Sequence, residues 1–175
     1  RAACQDDFET FDVMRKSQFL IWDLPLLESY WQDLQEGKAQ GRNLVMEKYA
    51  YMMESTAPKE YEAIATGLPK ISEEKQAMVE QIVAIQVGWR EEFAEKYPHL
   101  SGQARIIHTS EDTLYDISFE TYLRGELKTY SMQTLVLYGR RIVAFVQEQK
   151  NMTEEIMRYT TAFYGYKTLE DAEIK

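Results

Sequence analysis

The stretch from Ser72 to Lys96 restricts the fold most, because it contains no proline and carries Met78, Ile82, Ile85, Trp89 and Phe93 at steps of three and four residues. That spacing is the period of an α-helix and puts these side chains on one face, which Val79, Val83 and Val87 widen. Ser72 ahead of Glu73 and Glu74 reads as a capped start with acidic groups in the first turn, and Pro98 and Gly102 stop the run. A helix this broadly apolar needs neighbours on several sides, so it is expected at the centre of the fold.

The same period recurs from end to end. Pro25, two residues after Asp23, marks a helix start; Leu26, Leu27, Tyr30 and Leu34 follow at helical spacing, and Gly37 and Gly41 close the segment. "TAPKEYEAIATGLP" reads as a short helix between breakers, and "SFETYLRGELKTY", "MQTLVLYGRRIVAFVQEQ" and "TEEIMRYTTAFYG" as three more, whereas Arg105 to His108 is extended or loop. In the second of these, Met132, Leu135, Val136, Gly139, Ile142, Val143 and Val146 share one uncharged arc. The expected fold is all-α, a single-domain bundle of about seven helices over residues 1–175, with 167–175 an exposed tail.

A chain of 175 residues that is 45% hydrophobic can bury one sizeable core. Its net charge of -9 argues against a nucleic-acid partner, which needs a contiguous basic surface. The single cysteine makes no internal disulfide and fits a reducing, cytoplasmic setting. No run reaches the ~20 apolar residues that span a bilayer, so no membrane partner is expected. The start, "RAACQDD", lacks an initiator methionine, which suggests that the chain begins inside a longer native sequence.

Three helices fail to separate into polar and apolar faces. In "FETFDVMRKSQFLIW", Arg15 and Gln18 fall inside the arc of Phe8, Phe11, Met14, Phe19, Ile21 and Trp22. In "FETYLRGELKTY", Glu126 lies within the arc of Phe119, Tyr122, Leu123, Leu127 and Tyr130. In "GRNLVMEKYAYMMEST", Asn43, Glu47 and Glu54 form a narrow strip, Lys48 stands apart between Leu44 and Met52, and apolar side chains occupy the rest, as though the helix were enclosed.

A buried charge needs a partner, since desolvating it alone costs several kcal/mol. An arginine fork suits one or two carboxylates. These residues therefore suggest an internal cluster of Arg15, Gln18, Glu47 and Glu126 with Asn43, Tyr49 and Glu54 at its margin. Two function classes follow. In one, Arg15, Gln18, Asn43, Tyr49 and Glu54 bind a small anionic ligand while Glu47 or Glu126, its pKa raised by burial, acts as catalytic acid or base. In the other, the cluster is a structural ion network inside an interaction or homo-oligomerisation module.

Other chemistry has little support. There is no HExxH, CxxC or Glu-x-x-His pair, so no metal site is assigned. Asp112, Asp116 and Glu120 would line up for a divalent cation only if "EDTLYDISFE" were helical. Cys4 with His108 and Asp6 or Asp7 has the residue types of a thiolate pair, and His99 reads as a helix-end partner. No glycine-rich phosphate loop appears, and no cofactor is indicated.

The strings "RAACQDDFETFDVMRKSQF", "GRNLVMEKYAYMMESTAP" and "SFETYLRGELKTYS" resemble DUF4125, a bacterial family of domains of unknown function typical of gut Firmicutes. The resemblance covers nearly the whole chain. It implies a bacterial, cytoplasmic helical domain with a further helix ahead of "RAACQ" and nucleotidyltransferase-like neighbours, hence nucleotide as a ligand to consider; it assigns no catalytic residue.

Overall fold

A computed structural model describes residues 7–174, and every regular element among them is helical. The helices are α1 (Phe8–Leu20), α2 (Leu24–Ala39), α3 (Leu44–Thr56), α4 (Pro58–Ile64), α5 (Glu73–Lys96), α6 (Pro98–Gly102), α7 (Phe119–Thr129), α8 (Met132–Gln147), α9 (Met152–Phe163) and α10 (Leu169–Glu173). The count among the described residues exceeds the expected seven chiefly because α6 and α10, of five residues each, are too short to announce themselves by periodicity. None of the described helices is long and apolar enough to cross a membrane.

Local chemistry sets the boundaries. The side chains of Asp7, Asp23, Asn43, Ser72, Ser118, Ser131 and Asn151 each accept the backbone N–H three residues on, satisfying a donor that the helix start leaves free. At the end of α2, Gly41 turns left-handed at φ 68°, so that Arg42 N–H reaches the Gly37 carbonyl at 2.8 Å and Gly41 N–H that of Lys38 at 3.2 Å. Gly37 itself lies within α2 rather than closing it.

Helix α5 is central, as its stripe requires, and packs against α7, α8 and α9. Val79, Ile82, Val83, Trp89 and Phe93 are buried; Ile85, placed on the same stripe by spacing, turns partly outward. Leu26, Leu127, Leu135, Ile142 and Met152, each worth about 1.5–3 kcal/mol of burial, join these buried residues except Phe93 in the main core, while Phe93 packs with Tyr97 and Leu169 in a second cluster. Trp22, Tyr30, Tyr130 and Tyr138 meet edge to face at centroid distances of 5.3 to 6.3 Å, the favoured arrangement for aromatic quadrupoles.

The structure alters several expectations. Helix α8 buries Leu135, Tyr138, Ile142 and Phe145 and leaves Val143 and Val146 half exposed, because Tyr138 packs against Trp22 and Tyr130 and Phe145 against Trp89 of α5. Phe8, Phe11 and Met14 of α1 face outward rather than inward. The described part of the expected tail, 167–174, is docked through Leu169, which is 0% exposed against Phe93 and Tyr97. The Glu173 carboxylate accepts His99 N–H at 2.7 Å and Leu100 N–H at 2.8 Å at the start of α6.

Candidate functional site

The polar junction sits where α3 crosses α7, and a glycine permits the crossing. A Cβ built on Gly125 would stand 2.7 Å from Met52 Cγ and 3.0 Å from the Lys48 carbonyl oxygen, closer than packed atoms approach. The face of α3 turned to α7 therefore runs through Lys48 and Met52, and Lys48 is buried. At the start of α7, Phe119 and Glu120 donate their N–H groups to the carbonyls of Ile106 and Ile107 at 2.8 and 3.0 Å. This pairing holds Arg105 beside the first turns of α7.

Arg15 reaches inward from α1. Its Nη1 donates to Glu126 Oε1 at 2.8 Å and to Gln18 Oε1 at 3.0 Å, its Nη2 donates to Tyr30 Oη at 3.0 Å, and its guanidinium lies 5.0 Å over the ring of Phe19. Desolvation works most strongly against the charge, but Glu126, with Tyr30 and Tyr130, together outweighs it and the Arg15 pKa is raised. Burial would push the Glu126 carboxyl up; the Lys48 and Arg15 charges instead hold it below the ordinary carboxylate range. That observation counts against Glu126 as a proton donor at neutral pH.

Lys48 shares the same carboxylate less closely. Its Nζ is 3.8 Å from Glu126 Oε1, too far for a hydrogen bond, and 3.5 Å from the ring centroid of Tyr122. Desolvation first, then the Arg15 and Arg105 charges, pull its pKa down to about 8 against the opposing pull of Glu126. The Arg105 guanidinium lies 4.4 Å over the same ring and makes one long bond, 3.4 Å, to the Ile117 carbonyl.

Beyond it, the Arg90 guanidinium lies 4.8 Å over Phe119, and its buried Nε has no acceptor. Burial, then the nearby Arg105, lower the Arg90 pKa to about 10. Among the described ion pairs neither Arg90 nor Arg105 has a carboxylate. A shallow, open cleft of about 450 Å³ is lined by Arg105 with Ala94, Ile106, Ile107, His108 and Glu111; Arg90 lies behind Arg105 and does not line it.

Of the residues singled out by sequence, Arg15, Gln18 and Glu126 come together. Glu47 does not: its largely buried carboxylate accepts both Nε and Nη2 of the more exposed Arg42 at 3.0 and 2.9 Å, away from Arg15. Asn43 caps α3, and Glu54 pairs with Lys128 at 3.2 Å. Tyr49 is half-buried on α3, close enough to Lys48 for its charge to be felt there. Helix α3 is not enclosed either, since Val45 and Met46 are exposed; its polar strip lies toward the edge and its isolated lysine is the inward charge. Spacing missed Lys48, Tyr30, Arg90 and Arg105, and only the position of Lys48 between Leu44 and Met52 hinted at any of them.

Asp112, Asp116 and Glu120 share no helix face, because α7 begins at Phe119. Asp112 accepts Ser55 Oγ at 2.8 Å and Ser118 N–H at 2.7 Å, while Glu120 pairs with Arg124 at 2.8 Å. No group of three or more His, Cys, Asp or Glu among the described residues is disposed to hold a metal. The His108 ring bridges Glu91 at 2.6 Å and Glu111 at 3.2 Å, which raises its pKa. Asp7 caps α1, and Cys4 and Asp6 lie outside the described residues. His99 follows the end of α5 at Lys96 and stands in the short helix α6.

No curated protein and no solved structure matches the chain. The family model described as "Protein of unknown function (DUF4125)" matches residues 1–174. With nearly its whole length matched, the chain belongs to the DUF4125 family.

Proposed function

We propose that the protein binds a small anionic molecule at the seam between α5, α7 and the segment 104–108, with Arg90 and Arg105 as its anion-holding groups. The observation that carries this reading is the buried Arg90 Nε without an acceptor, next to a second guanidinium without a carboxylate among the described residues. A desolvated cation left unpaired is costly, and an anion is the missing partner. Arg15, Lys48, Arg90 and Arg105 lie along one path with Glu126 as the carboxylate among them, in a chain whose net charge is -9. Glu111 also lines the cleft and would repel an anion, but it is exposed and bonded to His108. Arg15, already bonded to Glu126, Gln18 and Tyr30, serves in this reading to hold Glu126 in place.

The test is a thermal-shift series with acetate, oxalate, phosphate and a nucleoside monophosphate at constant ionic strength. At least one of them is expected to raise Tm in the wild type and not in Arg105→Gln. A wild type that none of these anions stabilises would count against the reading.

A second reading, an interaction module, has one observation in its favour: Phe8, Phe11 and Met14 are exposed together along α1. Its test is sedimentation of the wild type against Phe11→Ser, in which a self-associating protein would lose its larger species.

A further inference from the structure

His108 stands on the segment 104–111, which walls one side of the cleft, and both nitrogens of its ring face carboxylates. Nε2 lies 2.6 Å from Glu91 Oε1 of α5, and Nδ1 lies 3.2 Å from Glu111 Oε2. An ionised carboxylate only accepts, and a neutral imidazole carries a single N–H. Both contacts are therefore hydrogen bonds only when the ring is protonated on both nitrogens. The Glu91 bond, against some desolvation and with help from Glu111, raises the His108 pKa. The charged groups on the neighbouring elements are engaged elsewhere: Glu120 and Arg124 of α7 bond each other and Thr109, and His99 of α6 meets Gln103.

The segment is attached differently on its two sides. Toward α7 the Ile106 and Ile107 carbonyls accept Phe119 and Glu120 N–H, and Thr109 Oγ1 meets Thr121 Oγ1 at 2.8 Å. Toward α5 the His108–Glu91 bond is the one hydrogen bond among the described residues. It closes a seam that like charges push open, since the charge of Arg105 on the segment is felt at Arg90 of α5.

We propose that His108 is a pH-operated latch: its imidazolium fastens the segment 104–111 to α5, and loss of a proton releases that wall of the anion site. That the seam holds a small anion rests on the reading above; the latch itself does not. After deprotonation the one remaining N–H serves Glu91 or Glu111 but not both, and the other carboxylate faces a nitrogen lone pair. The positive charge that offsets these carboxylates at the cleft is lost in the same step. Because the folded pKa is raised, the attachment is complete below the ordinary value of 6.5 and is lost as pH rises through the raised one. A loosened wall carrying Arg105 and a missing positive charge both weaken anion binding as pH rises. The three side chains are 40 to 53% exposed, so the change is graded rather than all-or-none.

The test follows the whole protein by NMR from pH 5.5 to 8.5, first without any ligand. With two histidines in the chain, the His108 ring signals are assigned by comparison with His108→Gln. The ring is expected to titrate above 6.5, and Glu91→Gln, at an exposed position, to lower that midpoint. Hydrogen exchange at the His108, Thr109 and Glu111 amides, corrected for the intrinsic effect of pH, should speed up about three- to fivefold across the midpoint. In His108→Gln the corrected rates should stay constant with pH. A midpoint at or below 6.5, or wild-type exchange that does not change across it, would overturn the latch. Acetate titrations on either side of the midpoint then separate the two readings. Binding that weakens severalfold at the higher pH is the expected result, and equally tight binding on both sides would overturn the gating of the site. Acetate that fails to bind at all, while exchange still follows His108, would keep the latch and sink the anion reading.

Discussion

Arg15 and Lys48 converge on one oxygen of Glu126, at 2.8 and 3.8 Å, and the asymmetry decides their roles. Arg15 is anchored by Glu126, Gln18 and Tyr30 and becomes part of the frame. Lys48 is attracted to the same oxygen without a hydrogen bond and rests 3.5 Å over the Tyr122 ring. Helices α1, α3 and α7, distant in sequence, are tied together by this one carboxylate.

Glu126→Gln keeps the shape of that tie but leaves two buried cations without their counter-charge. It is expected to destabilise by about 3–5 kcal/mol, whereas Arg15→Met, which leaves Lys48 to face Glu126, should cost less than about 2 kcal/mol. Urea denaturation of both variants checks this. Equal, near-zero changes would mean that the groups are solvated and the junction contributes nothing.

The lowered pKa of Lys48 makes a signed prediction for pH. The folded value, about 8, lies below the ordinary 10.5, so between these limits the unfolded chain holds a proton that the folded one does not. Stability contributed by this group therefore rises with pH across that window, and the penalty, on the order of 3 kcal/mol, is fully present below about 8. The raised pKa values of Tyr30, Tyr130 and Tyr138 act oppositely above the ordinary tyrosine range, so the useful interval ends near 10. Chemical denaturation from pH 7 to 10 should show a steeper rise of stability in the wild type than in Lys48→Met, where the lowered pKa of Lys75, caused chiefly by its burial, still contributes a rise of the same sign.

Gly125→Ala tests the helix crossing. Alanine is the better helix former by about 1 kcal/mol, yet its Cβ would meet Met52 Cγ and the Lys48 carbonyl. Overpacking should win, with a net loss of about 1–2 kcal/mol. A rise in Tm would show that α3 can shift aside freely.

Leu169→Ala should cost about 2–4 kcal/mol, because Leu169 is fully buried against Phe93 and Tyr97. Hydrogen exchange should also speed up at His99 and Leu100, whose N–H groups are held by Glu173 from the same helix. Unchanged exchange there would mean that α10 does not stay docked.

Glu47→Gln provides the contrast with Glu126. Its partner Arg42 is more than a third exposed, so the loss should stay within about 1 kcal/mol by thermal melting. A fall as large as that of Glu126→Gln would place Glu47 in the buried network after all.

The all-helical class, the centrality of α5 and the starts of α2, α5 and α7 were legible in the chain, because periodicity and capping act over a few residues. So was the anomaly of Arg15, Gln18 and Glu126 on apolar arcs. Which face of α3 turns inward was not: average hydrophobicity favoured enclosing the strip of Glu47, but Gly125 lets α7 approach along Lys48 and Met52. The docking of Leu169 and the meeting of Arg90 with Arg105 likewise depend on partners far away in sequence. A helix wheel orders the side chains of one helix, but only the neighbouring helix decides which of them lose water, and with it which charges become unusual.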